Sequence, residues 1–205
     1  TADDYEELHS GFLDCLLRTP ALADIRGREL SNIFYRIWTY LFDVAALEVA
    51  TFIARRESHP QPNLLAIRRY FKGREVGSPA RFTLNQVTAL LRHAATGLTA
   101  ALDFSAALDR LLNNADLQAA IENARNIIDR AHSLIVIDTL EQYDISDNRL
   151  YSFQGLVRAV KRFHDQKPIR GLAIRCFLPQ EMTEHVYGEN VAKYKALTAY
   201  LEWTY

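Results

Sequence analysis

Only two cysteines and one methionine occur in the sequence. Neither Cys15 nor Cys176 stands in a CxxC pair or at ligand spacing from a histidine, so neither a disulfide framework nor a zinc ribbon is indicated. Each falls in an apolar stretch and is expected to be a small core residue in a reducing compartment. Net charge is also nearly absent, at −1, so no long-range field draws the chain to nucleic acid or to an acidic membrane. Lysine is scarce, confined to Lys72, Lys161, Lys167, Lys193 and Lys195. The remaining basic residues are arginines, most of them expected in ion pairs on helix faces. HExxH and GxSxG are both missing, which removes the signatures of a zinc protease and of a serine hydrolase. His93, His132 and His185 lack paired spacing. His164-Asp165, shortly before Pro168, reads as a helix end rather than as part of a metal-dependent phosphohydrolase, and Gly77-Ser78 as a breaker between helices. No signal peptide is visible. Ile37 to Ala54 has the length of a membrane span but carries Asp43 and Glu48, and is expected to be a buried helix of a soluble, cytoplasmic protein.

What is present is an ordinary globular composition, 49% hydrophobic and 24% charged over 205 residues, enough for one domain. The chain starts at Thr1 and stops at Tyr205 inside a helical pattern, which suggests a piece of a longer protein. Residues 1–132 read as a helical portion. Asp3 or Asp4 can cap a helix running to about Arg18, with Tyr5, Leu8, Phe12, Leu13 and Leu16 on one side and Pro20 as the stop. From about Arg28 to Arg56 the apolar positions Leu30, Ile33, Phe34, Ile37, Trp38, Leu41, Phe42 and Ala45 keep a 3.6-residue spacing. Shorter helices are expected from Asn63 to Ala131, broken at Gly73 to Pro79, at Gly97 and at Asn113-Asn114. Their faces, Phe104, Leu108 and Leu111 in one and Leu117, Ile121, Ala124 and Ile128 in the next, suit packing within a bundle and suggest no chemistry.

Residues 133–205 change character. Leu134 to Ile137 form an unbroken β-branched run ending in Asp138, the pattern of a parallel strand buried on both faces. A helix from about Leu150 to His164 and a second apolar run from Gly171 to Leu178 complete a βαβ crossover. The fold class is therefore α/β, with a parallel sheet and a large helical elaboration that makes it mostly α by residue count. Ligands gather at the carboxyl ends of strands in such sheets, where Asp138, Glu141 and Asp144 lie. Asp138 can hold a hydrated Mg²⁺, which needs only one or two protein carboxylates, and Glu141 can orient an attacking water. The plainer roles are a turn cap for Asp138, a solvated loop acid for Glu141, and turn residues for Asp144 and Asp147.

The segment Leu134-Ile-Val-Ile-Asp138-Thr-Leu-Glu141 resembles the Walker B box of the P-loop NTPases, in the variant of the STAND and KAP-like, AAA+-related branch. Leu172 to Leu178 resembles the strand that follows Walker B there. The helix bearing Arg36 and Trp38 resembles one found between Walker A and Walker B in some of these ATPases. The resemblance implies ATP and Mg²⁺ as cofactors, Asp138 as metal-holding residue, Glu141 as the residue positioning the catalytic water, and Arg175 as sensor of the γ-phosphate. It further implies a homo-oligomeric switch or signalling ATPase coupled to an effector or sensor domain, in bacterial defence or stress response. Two departures stand out. Arg175 lies inside its strand rather than at its end, and no GxxxxGK[ST] occurs: Gly73-Arg-Glu-Val-Gly77-Ser-Pro lacks the lysine. The phosphate-binding loop is therefore expected upstream of Thr1, and the 205 residues alone are expected to bind ATP poorly. The other readings are a non-catalytic helical adaptor or regulatory module with a degenerate nucleotide fold, and an unrelated α/β enzyme that uses Asp138 differently.

Overall fold

The computed structural model describes residues 10–12, 25, 27–56, 62–74, 76–94, 100–129, 131–138, 147–166 and 169–178, with residues 185, 194, 198 and 199. Most of the expected first helix, Cys15, Gly97, Glu141 and Asp144 lie outside these, as does nearly all of the chain after Leu178. The described chain is mostly helical and carries a small parallel sheet of two strands.

Its centre is α1, Gly27–Arg56. The periodic apolar positions are all buried, and from Ile37 to Leu47 burial extends almost all round the helix, as befits a helix enclosed by others. Arg55 and Arg56 close it where the helix dipole favours cations. By length and composition α1 could cross a membrane, but 67% of its most apolar window is buried inside the fold. Around it pack α2 (Leu64–Tyr70), α3 (Pro79–Ala94), α4 (Ala100–Leu112), α5 (Ala115–Ile128) and α6 (Asp147–Gln166). Local chemistry sets their ends. Lys72 and Gly73 take positive φ after α2, and their N–H groups close onto Arg69 O and Arg68 O. Pro79 opens α3. Asn114 caps α5 by accepting from the N–H groups of Asp116 and Leu117.

Helices α1 and α6 approach each other tightly. A Cβ on Gly155 would stand 2.6 Å from Tyr35 N and 2.7 Å from Phe34 Cβ, so only glycine admits this approach. One turn away the buried Trp38 Nε1 donates to Ser152 O at 3.2 Å. On another side of α1, Phe12 meets Phe34 edge-on at 5.2 Å and stacks on Phe104 at 6.1 Å.

Strands β1 (Ser133–Ile137) and β2 (Leu172–Cys176) run parallel in the register Ser133↔Leu172 to Ile137↔Cys176. Ser133 N–H to Gly171 O, at 2.8 Å, and Phe177 N–H to Ile137 O, at 2.9 Å, continue the ladder at both ends. The crossover helix α6 is longer than its apolar pattern suggests. It begins at Asp147, which is a helical residue and not a turn residue, and ends at Gln166. The expectation of two buried faces fails. Ile137, Leu172 and Ile174 point into the core, but Leu134 is 56% and Val136 45% exposed, with Phe177 at 42%. The reason is one-sided cover: α6 packs on β2 and carries the helical mass on its far side.

Candidate functional site

At the carboxyl edge of the sheet, Asp138 follows directly on the buried Ile137 and is exposed to solvent. It acts electrostatically on Cys176, the last residue of β2. Burial, reinforced by the Asp138 charge, pushes that thiol up to about 12, so Cys176 is a neutral, inert packing group. Arg175 does not project from the strand end. It sits opposite Val136 on the open face, and its guanidinium donates to His164 Nε2 at 3.1 Å, in the last turn of α6. Arg175 is thus tied to α6 and not held toward the carboxyl edge. Glu141, the other expected catalytic residue, lies outside the described residues. Among those described, no three His, Cys, Asp or Glu side chains converge as a metal site. A carboxylate at a strand end fits hydrated Mg²⁺, which retains most of its waters.

A second constellation lies among the helices, whose sequence pattern suggests only packing. A cleft of about 610 Å³ opens between α1, α4 and α6. Along α1 a polar stripe runs down an otherwise apolar helix at helical spacing: Asn32, Arg36, Thr39 and Asp43. From α6 come Arg158, Arg162 and Gln166, again on one face. An adjoining cavity of about 130 Å³ adds Arg125 from α5 and shares Asp43 and Arg162.

The cleft is polar and its groups are ordered. Arg36 grips Asp109 with two of its nitrogens, Nε to Oδ1 at 2.7 Å and a terminal nitrogen to Oδ2 at 3.3 Å. Arg158 donates to Asn32 Oδ1 at 2.7 Å and lies 4.8 Å over the Tyr35 ring. Arg162 donates to Gln166 Oε1 at 2.9 Å. Burial pushes the Asp43 carboxyl up to about 7, against the opposing pull of Arg162 and Arg125. Behind it the hydroxyls of Tyr40 and Tyr70 share a hydrogen bond; burial raises both, and so does the Asp43 charge. A carboxyl near neutrality beside arginines in a cleft is the arrangement in which binding sites are commonly found.

In sequence Asp43 serves only to argue against a membrane span. The legible signal is the polar series 32, 36, 39, 43 on an apolar helix, matched by 158, 162, 166. No family model, curated protein or solved structure matches this chain.

Proposed function

We propose that this chain is the Walker B portion of a P-loop-type ATPase that works as a switch or signalling protein in an oligomer, with ATP and Mg²⁺ as cofactors. One observation carries the reading: Asp138 stands immediately past the inner residue of a strand whose parallel neighbour is reached through a helical crossover. Ligands of parallel α/β sheets gather at that edge. Asp138 would hold the metal through its waters, and Glu141 would orient the attacking water. The metal's contribution is to neutralise charge on the transferring phosphoryl group. The phosphate loop must come from outside these 205 residues, since no lysine-bearing glycine loop occurs in them. Arg175, engaged with His164, would have to leave that contact to act as the sensor of the γ-phosphate.

The test is hydrolysis by the full-length protein. Asp138→Asn should lower the Mg²⁺-dependent rate at least about tenfold, roughly 1.4 kcal/mol of transition-state stabilisation, and Glu141→Gln should slow turnover while leaving nucleotide bound. Hydrolysis at the parental rate by folded Asp138→Asn protein rejects the reading. The open apolar face formed by Leu134, Val136 and Phe177 favours a second reading, a helical adaptor with a degenerate nucleotide fold. Full-length protein that shows no nucleotide binding at all would move the assignment there.

A further inference from the structure

We infer that the polar cleft between α1, α4 and α6 is a binding site for a small phosphorylated molecule, held chiefly by Arg158 and Arg162. This site is separate from the carboxyl edge of the sheet and does not rest on the ATPase reading. Strand β1 leads toward the start of α6, whereas Arg158, Arg162 and Gln166 occupy its second half, from whose end β2 departs.

The balance of charge points to an anion. Arg36 is neutralised by its paired contacts with Asp109. Among the described residues, the hydrogen-bond partners of Arg158 and Arg162 are all neutral: Asn32 and Ser31 for the first, Gln166 for the second. Two guanidinium charges one helical turn apart thus line the cleft with most of their N–H donors still available. The carboxyl facing Arg162 is Asp43, pushed up to about 7 by burial, so near neutral pH it is only partly ionised and repels an anion less than an ordinary aspartate does. In the adjoining cavity, Arg125 pairs with Glu122 through a terminal nitrogen at 2.7 Å, while its Nε is buried without a hydrogen-bond partner, a donor left unsatisfied beside the cleft.

The ligand class follows from charge and geometry. A phosphate monoester carries nearly two negative charges and three acceptor oxygens, matching two guanidinium forks; a single carboxylate would leave one arginine uncompensated. The volume, about 610 Å³, is that of a small-molecule site. Arg158 is already fixed over Tyr35 and against Asn32, so little side-chain entropy remains to be lost on binding.

Titration calorimetry and thermal shift with inorganic phosphate and pyrophosphate, at constant ionic strength and with acetate as the carboxylate control, test the inference. Phosphate or pyrophosphate should bind and raise Tm, acetate should not, and Arg158→Gln and Arg162→Gln should each weaken binding by about tenfold. Arg92→Gln, which removes a charge on the exposed side of α3, should leave binding unchanged. Should the α6 variants fail to fold, the Nε–Hε resonances of the parent protein decide: phosphate must shift arginine signals that acetate leaves in place. Absence of phosphate and pyrophosphate binding, equal loss in Arg92→Gln, or acetate binding as tight as phosphate overturns the proposal.

Discussion

Helix α6 has two sides, and they are finished to different degrees. Toward α1 it packs at a distance only Gly155 allows, ties Ser152 to Trp38, and opens into a polar cleft along its second half. Toward β2 it covers one face of a two-stranded sheet whose other face leaves Leu134, Val136 and Phe177 in water. Both sides are built from apolar residues at the correct period. The difference is that helix α1 finds partners all round within this chain, while the apolar run of β1 is composed for two covers and receives one. Exposed apolar surface of this kind forgoes roughly 25 cal/mol per Å² that a cover would recover. Periodicity therefore states what a segment is fit to bury, and only the packing states what it buries.

The largest effect should come from the tight side. Gly155→Val must push α1 and α6 apart and should cost more than about 3 kcal/mol, against little change for Gly77→Ala, where a Cβ meets nothing within 4 Å. Chemical denaturation of the two variants measures the contrast, and equal midpoints would mean that the α1–α6 contact is looser than described. On the sheet the two faces should separate. Ile137→Ala, at a fully buried position, is expected to lose about 2–3 kcal/mol, whereas Leu134→Ala on the open face should lose less than about 0.5 kcal/mol. A comparable loss from Leu134→Ala would show that the face is covered in solution.

A more modest effect than those of Gly155→Val and Ile137→Ala concerns the cleft and depends on pH. Asp43 is raised from an ordinary 3.8 to about 7 by burial, so between these values the folded state binds more protons than the unfolded chain. Stability should therefore fall as pH rises from about 4 to about 7 and level off above that. Asp43→Asn removes the titrating group. It should flatten this slope and gain roughly 1–2 kcal/mol over the parent at pH 8 relative to pH 5. Identical pH profiles for parent and variant, followed by thermal unfolding, would place Asp43 in an exposed setting.

Much of the helical architecture is legible in the residues alone. Leu30 through Ala45 at 3.6-residue spacing name the buried side of α1, Asn114 marks the start of α5, and the Leu134–Ile137 and Gly171–Leu178 runs name the two strands and their parallel order. Asp138 is legible at the strand end for the same reason, because a β-branched run that stops at a carboxylate fixes where that carboxylate stands. The Arg175 contact is not legible. Its partner His164 lies on another element, and nothing in either segment specifies that the two meet at 3.1 Å. The Asp43 cleft is hidden differently: its polar residues share a helical stripe, yet their convergence with Arg158 and Arg162 requires α1 and α6 to be neighbours. By itself, then, the sequence determined the helices, the crossover and the strand-end acid, since each follows from local periodicity and capping. Tertiary structure alone decided which face of the sheet stays open and which carboxyl is driven toward neutrality, because burial and desolvation are properties of what packs against a residue and not of the residue's own segment.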